Sequence, residues 1–325
     1  MKKQSGFSLL EIFIALSIGL GLTAGVLSVF VGMKTTTSET SSYGELQENG
    51  RFAISILTDD LLRQNFWGDL PGSLDVSGLT VSPNAASISA TDCIGSGSNN
   101  ATFPAAIGHF RTLWGKTAAF NNEINCINNA KIGSDIIQIK RVIAQPLIAA
   151  DIDADKYYMI SNANSAAIFA GNAAIPVVNN GLIWEYQHHI YYVRNDSQGS
   201  NTVPVLVKGR LKNAATAMVL EVLIDGIEQI RFMYGVDTDN DNLVDAYISA
   251  DNMTDAEWDN DNGASILAIK MYVLARDILP DLKYTNDNVY QLGDVFFDPP
   301  ENDHYRRLLF TSTVTLFNAK EDVWQ

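Results

Sequence analysis

The chain has 325 residues, enough for one large domain or two small ones, and 46% of them are hydrophobic, so a sizeable core is possible. Its formal net charge of −15 argues against nucleic acid as the main partner, because phosphate binding needs clustered Lys and Arg. The acidic balance is compatible with a cation ligand or a basic protein partner, and it is uneven: the densest acidic stretch lies between Asp237 and Asp261.

In chain order, residues 1–6 form a short basic segment with Lys2 and Lys3, ending in Gly6. Residues 7–33, from Phe7 to Met33, carry Glu11 as their one charge. As a helix this run is about 40 Å long, enough to span a bilayer. Lys2 and Lys3 before the span, with only Lys34 right after it, favour a cytoplasmic N-terminus and a globular part outside the cytoplasm. An ordinary secretory signal places its cleavage site after the apolar run, whereas here the polar–apolar junction is the distinctive point. Glu11 is the anomaly, since a carboxylate within a span costs ~2.5–3.5 kcal/mol. No basic residue in the span can pair with it, so the expected partner is a positive charge on a neighbouring copy. Gly21 and Gly25 match the small-xxx-small spacing of closely packed helices. Gly is also simply common in membrane helices.

Residues 34–66 are expected to continue the helix in amphipathic form. Leu46, Ala53 or Ile54, Leu57 and Leu61 recur at helical spacing, with Glu45, Glu48, Asp59, Asp60 and Arg63 around them. The run Trp67-Gly68-Asp69-Leu70-Pro71-Gly72 then breaks it. Residues 67–325 form the head. Residues 72–134 read as loop-rich with weak strands. Strands are expected at Ile137–Ile143, in a hairpin from Ile190–Arg194 to Pro204–Leu211, and at Ile230–Val236, Ile266–Arg276 and Arg307–Phe317. One long helix followed by many strands is α+β, with the helix packed on an antiparallel sheet.

Cys93 and Cys126 form a single pair, read as a disulfide if the head is exported, with two buried thiols as the alternative. The best candidate site is the acidic loop Asp237 to Asp245. Carboxylates at Asp237, Asp239, Asp241 and Asp245, with the Leu243 carbonyl, suit a Ca²⁺ ion, which takes 6–8 oxygens. The loop departs from the EF-hand pattern in lacking its turn glycine and its closing Glu. Asp251, Asp259 and Asp261 are candidates to complete the shell, and a solvated acidic loop is the alternative. His188 and His189 face opposite sides of a strand, poor geometry for one metal. His109 and His304 are isolated, and neither HExxH nor a nucleophile elbow occurs, so an enzyme is not expected. Trp184, Tyr186, Tyr191 and Tyr192 read first as core packing.

The stretch Gly6-Phe7-Ser8-Leu9-Leu10-Glu11 resembles the type IV prepilin signal. The resemblance implies cleavage between Gly6 and Phe7 by a prepilin peptidase, N-methylation of Phe7, and pairing of Glu11 with the N-terminal amine of an adjacent subunit. Four further stretches resemble the PilW-type minor pilins. They are Gly50-Arg51-Phe52-Ala53 with Leu57, Asp60, Arg63 and Gly68; Ile230 to Asp237, running into the acidic loop; Trp258 with Ile266–Arg276; and Tyr305-Arg306-Arg307-Leu308 with Thr313-Val314-Thr315-Leu316. This resemblance implies an inner-membrane subunit with a periplasmic head that helps prime pilus assembly. Other minor pilins, the major pilin and membrane lipid would be its partners, and a tip complex its place. The acidic loop is then in part a feature of the fold. A minor pseudopilin of type II secretion would share anchor and fold, and a tip adhesin with a calcium-ordered loop is a further alternative.

Overall fold

The computed structural model describes residues 6–71, 79–81, 93–104, 109–124, 126–199, 201–214, 218–260 and 264–319, with Thr35, Ser38 and Leu79–Val81 described by backbone alone. The chain divides into two compact units, Met1–Glu45 and Leu46–Gln325. Helix α1, Leu9–Leu62, supplies residues to both.

In the first unit every described side chain from Leu9 to Lys34 is exposed. The helix is long and apolar enough to cross a membrane, with a mean hydropathy of 2.2 over its best window. Its hydroxyls turn back onto the backbone one turn earlier: Ser17 Oγ donates to the Phe13 carbonyl at 2.9 Å, Thr37 Oγ1 to Met33 at 2.8 Å and Thr40 Oγ1 to Thr36 at 2.9 Å. A polar group satisfied inside its own helix is compatible with an apolar medium.

The second unit begins with the amphipathic turns of α1. Leu46, Gly50, Ala53, Leu57, Asp60 and Gln64 are buried, at alternating steps of four and three residues that keep one helical face inward. Gly50 is required by packing, since a Cβ there would lie 2.1 Å from the Phe310 ring. The helix ends at Leu62, a turn earlier than expected. Asn65 leaves it with φ +56, and its Nδ2 donates to the Asn318 carbonyl at 2.7 Å while Asn318 Nδ2 donates to the Gln64 carbonyl at 3.0 Å. That exchange satisfies a helix-end carbonyl that would otherwise be orphaned.

Fourteen strands follow among the described residues: β1 Leu79–Val81, β2 Leu113–Thr117, β3 Asp135–Leu147, β4 Tyr157–Ser161, β5 Ala166–Ala170, β6 Leu182–Gln198, β7 Asn201–Leu211, β8 Met218–Asp225, β9 Ile227–Asp237, β10 Ala246–Ser249, β11 Ser265–Arg276, β12 Tyr290–Leu292, β13 Val295–Phe297 and β14 Arg307–Thr315. A short helix α2, Asp255–Trp258, sits between β10 and β11 and opens on a capping box of Thr254 and Glu257. The larger sheet runs β1-β5-β4-β6-β3-β2, and β7 joins the long β6 and carries β8. The smaller sheet runs β10-β9-β11-β14 and is antiparallel throughout. β1 and β5 pair in parallel. The fold is thus α+β as the sequence implies, but with two principal sheets in place of one. The β6–β7 hairpin closes at Gln198↔Asn201, so residues 195–198, which fall between the two expected strands, are strand. Arg194 pairs with Asp196 at 2.7 Å within that polar stretch.

The main core lies between the inner face of α1 and both sheets, and includes Leu57, Leu61, Ile139, Tyr191, Phe232, Ile269 and Val314. Burying a side chain such as Leu57 completely contributes about 1.5–3 kcal/mol. All eleven residues of β9 are buried, as befits a strand flanked by β10 and β11 and covered on both faces. Arg231 of β9 ties the sheets together, reaching Asp135 of β3 at 2.9 Å and Asp294 at 2.9 Å.

Candidate functional site

The helix start is built by Ser8 and Glu11. Glu11 N–H donates to Ser8 Oγ at 3.2 Å and Ser8 N–H donates to Glu11 Oε2 at 2.9 Å. This reciprocal pair is a capping box, and it places a carboxylate at the positive end of the helix dipole. Besides the positive partner expected from a neighbouring copy, Glu11 thus has a backbone donor at its own helix start. The signal was present in the sequence as Ser-x-x-Glu before an apolar run. Gly6 and Phe7 lie just ahead of this turn and are exposed, whereas Met1–Ser5 lie outside the described residues.

The acidic loop joins β9 to β10. Asp237 is buried at the end of β9, opposite Ser265. Its Oδ1 accepts from Asn240 N at 2.8 Å and its Oδ2 from Asn242 N at 3.0 Å. Asn240 and Asn242 have φ of +65 and +67, a region asparagine tolerates. Asp245 Oδ2 accepts from Thr238 N at 2.7 Å and Thr238 Oγ1 at 2.6 Å, and these bonds hold its carboxyl below the usual range. Carboxylate oxygens of Asp237, Asp239 and Asp245 lie within 4.8 Å of one another. Asp241 stands outside that group and accepts from Leu243 N at 2.8 Å; the Leu243 side chain is exposed. Two residues considered for the outer shell are engaged elsewhere. Asp251 accepts from Thr117 N at 3.3 Å and faces Arg231, and Asp259 pairs with Arg111. Asp261 lies outside the described residues.

Cys93 and Cys126 are bonded, with Cα atoms 5.1 Å apart, in a buried cluster with Ile136, Ile190 and Tyr192. Trp184, Tyr186, Tyr191 and Tyr192 are all buried, so the aromatic group is core. His188 and His189 are both buried and point to opposite sides, as expected: His188 Nδ1 lies 3.2 Å from Thr102 Oγ1, and His189 Nδ1 lies 2.6 Å from Asp60 Oδ2.

Asp60, set by the sequence reading among the polar residues around the apolar stripe, lies instead inside the fold, in a role that reading did not assign. It is buried on the inner face of α1 and accepts from Arg141 Nε at 2.7 Å, His189 Nδ1 at 2.6 Å and Tyr191 OH at 2.7 Å, with Lys208 Nζ at 3.9 Å. Burial alone would raise its carboxyl. His189, Arg141 and Lys208 outweigh burial and hold it well below the usual carboxylate range. His189, deep in the same site, is pushed below the ordinary imidazole value by burial, which the attraction of Asp60 offsets only in part. With Asp60 ionised, the Nδ1 of His189 must be a donor. The arrangement resembles a charge relay, but no nucleophile completes it among these partners. It acts as an ionic knot between α1 and strands β3, β6 and β7.

The PilW family model, described as Type IV Pilus-assembly protein W, matches residues 190–318, about two fifths of the chain. The match runs from within β6 through β14 and includes the acidic loop; α1 and the disulfide lie outside it. Over those residues the chain is similar to a type IV pilus assembly family, which supports a type IV pilus-related protein. No curated protein and no solved structure matches the chain.

Proposed function

We propose that the chain is a minor pilin of the type IV pilus, cut between Gly6 and Phe7, N-methylated at Phe7, and held in the inner membrane by residues 7–33 with its head in the periplasm. The match over residues 190–318 carries this reading. The exposed apolar helix before the head supports it, because such a surface calls for lipid or other helices. In this role the subunit helps initiate assembly with other minor pilins and the major pilin at the tip, and Glu11 leaves its capping box for a neighbour's terminal amine. No catalytic step is assigned to it.

The test is expression with and without a prepilin peptidase, followed by mass spectrometry of the N-terminus. A chain starting at N-methylated Phe7 is expected; an intact Met1 or a cut after the span removes the pilin reading. Loss of pili in a deletion strain separates a pilus role from a type II secretion pseudopilin, whose deletion would instead block protein export. A second reading concerns the acidic loop. The convergence of Asp237, Asp239 and Asp245 favours Ca²⁺ there. Calorimetric titration of the chain with Ca²⁺ should give saturable heat that Asp239→Asn abolishes, and heat unchanged by that substitution would sink the site.

A further inference from the structure

The edge of a β-sheet presents a row of unpaired N–H and C=O groups, which folded proteins blunt with short strands, charges, prolines or bulges. Most edges in this head are blunted. β10 has four residues, β1 three and β2 five. β8 is longer but carries Glu221 and Asp225 and breaks register against β7. β14 has none of these protections. It runs nine residues, holds unbroken register with β11 from Arg307 to Thr315, and from Leu308 to Thr315 has no charge, proline or glycine. Among the described residues its other edge has no strand partner. Beside it lies an open trough of about 610 Å³ between the outer side of α1 and the strand, lined by Arg51, Ile54, Thr58, Leu62, Phe310 and Ser312 among others. Thr58 Oγ1 is buried there without a hydrogen-bond partner among the described residues.

We propose that this edge and trough take an extended strand from a second membrane-anchored protein subunit. The strand continues the four-stranded sheet beyond β14 and sets alternate apolar side chains against Ile54, Leu62 and Phe310. The row of backbone groups selects an extended polypeptide, and the two-residue period of a strand fits one apolar trough on one face. Area decides how the strand arrives. A nine-residue edge is about 30 Å long and, with the trough, would bury on the order of 300–400 Å² per partner, against about 800 Å² in a stable complex. Free copies in solution are not held by so small a contact. A strand on a chain anchored alongside arrives at an effective concentration of about millimolar, where a weak edge suffices. The inference rests on the membrane-anchored reading above.

The probe is a fluorescein-labelled peptide of sequence Arg307–Thr315, titrated to millimolar concentration against the full chain in detergent micelles, with empty micelles as blank. Two companion peptides carry N-methyl groups on alternate amides, one for each parity. Saturable anisotropy is expected for the plain peptide. At least tenfold weaker binding is expected for one or both methylated forms, and for the Leu62→Glu protein, whose unfolding midpoint should not move. Absence of saturable binding, or equal binding of all three peptides, overturns the proposal. So does a stable dimer by sedimentation with Thr311→Cys chains that cross-link to each other, which would give the edge to a second copy. Normal leader processing with no peptide binding refutes the edge alone. Peptide binding in a chain that is never processed or anchored refutes the tethered partner and leaves the prepilin reading as the one that failed.

Discussion

Between Leu9 and Lys34, α1 keeps every described side chain exposed, whereas from Leu46 to Leu61 the same helix buries Leu46, Ala53, Leu57, Asp60 and Leu61 to 3% exposure or less. The backbone is equivalent in both stretches; the distribution of apolar residues differs. A run apolar on all sides has no single face to bury and calls for an apolar medium, whereas a stripe calls for a core. The second stretch adds one charge at a core position and surrounds it with donors. The first adds one charge at its very start and closes it on the backbone.

The sharpest way to break the contrast is to remove the ionic knot. Asp60→Ala leaves Arg141, His189 and Tyr191 buried without their acceptor. It should cost about 3–5 kcal/mol in urea unfolding of the detergent-solubilised chain. Leu16→Ala, in the exposed stretch, should change the same transition by less than about 0.5 kcal/mol. Equal effects would mean that the first stretch is as integrated as the second. Next in size is the disulfide: the Cys93→Ser, Cys126→Ser double variant should lose about 2–4 kcal/mol in the same assay, and no loss would show that Arg111, Asp255 and Asp259 already fix that loop.

Acid should weaken the head through the same knot. Asp60 and His189 both have folded pKa values below their unfolded ones, so the unfolded chain binds more protons in each range. The knot's own contribution is full at neutral pH. It falls below about pH 6.5 as unfolded histidine protonates, and again below about pH 4 as unfolded aspartate does, by up to ~1.4 kcal/mol per pH unit per group. His188, also pushed down by burial, shares the first limb. His189→Gln should therefore shrink the loss between pH 7 and pH 5.5 by about half, and an unchanged slope would place the sensitivity elsewhere. The smallest effect is expected at the helix start, where Ser8→Ala should cost about 1 kcal/mol of local helix stability, read by amide exchange at Glu11 in micelles. Unaltered exchange there would mean that the cap is not needed in the apolar medium.

How far the sequence revealed these features follows from the range of the interactions. The apolar run, the three- to four-residue spacing from Leu46 to Leu61, and the strands around Ile230, Ile269 and Phe310 are local patterns, and each was legible. The acidic loop was also legible as a loop, because Asp and Asn close turns on neighbouring amides; which carboxylates converge was not. The Asp60 knot depends on partners 81, 129 and 131 residues away, beyond any local pattern. One signal did exist: Asp60 falls in phase with Leu46, Gly50, Ala53 and Leu57, so it is a charge on the inward face. The second sheet was missed because splitting strands between two sheets depends on pairing, which short alternating runs do not specify.

The position of Asp60 has a consequence for the choice among packings. A stripe of Leu and Ala can settle on a sheet in several neighbouring alignments of similar merit, because apolar contact has no direction. A shift of α1 by one residue moves it about 1.5 Å and turns it about 100°. That shift would carry the Asp60 carboxylate away from Arg141, His189 and Tyr191 together, while Leu57 and Leu61 would still find grease. The carboxylate therefore selects a single alignment from a set that the apolar stripe alone leaves nearly degenerate, and so fixes which side of this helix segment the head presents to whatever lies beside it.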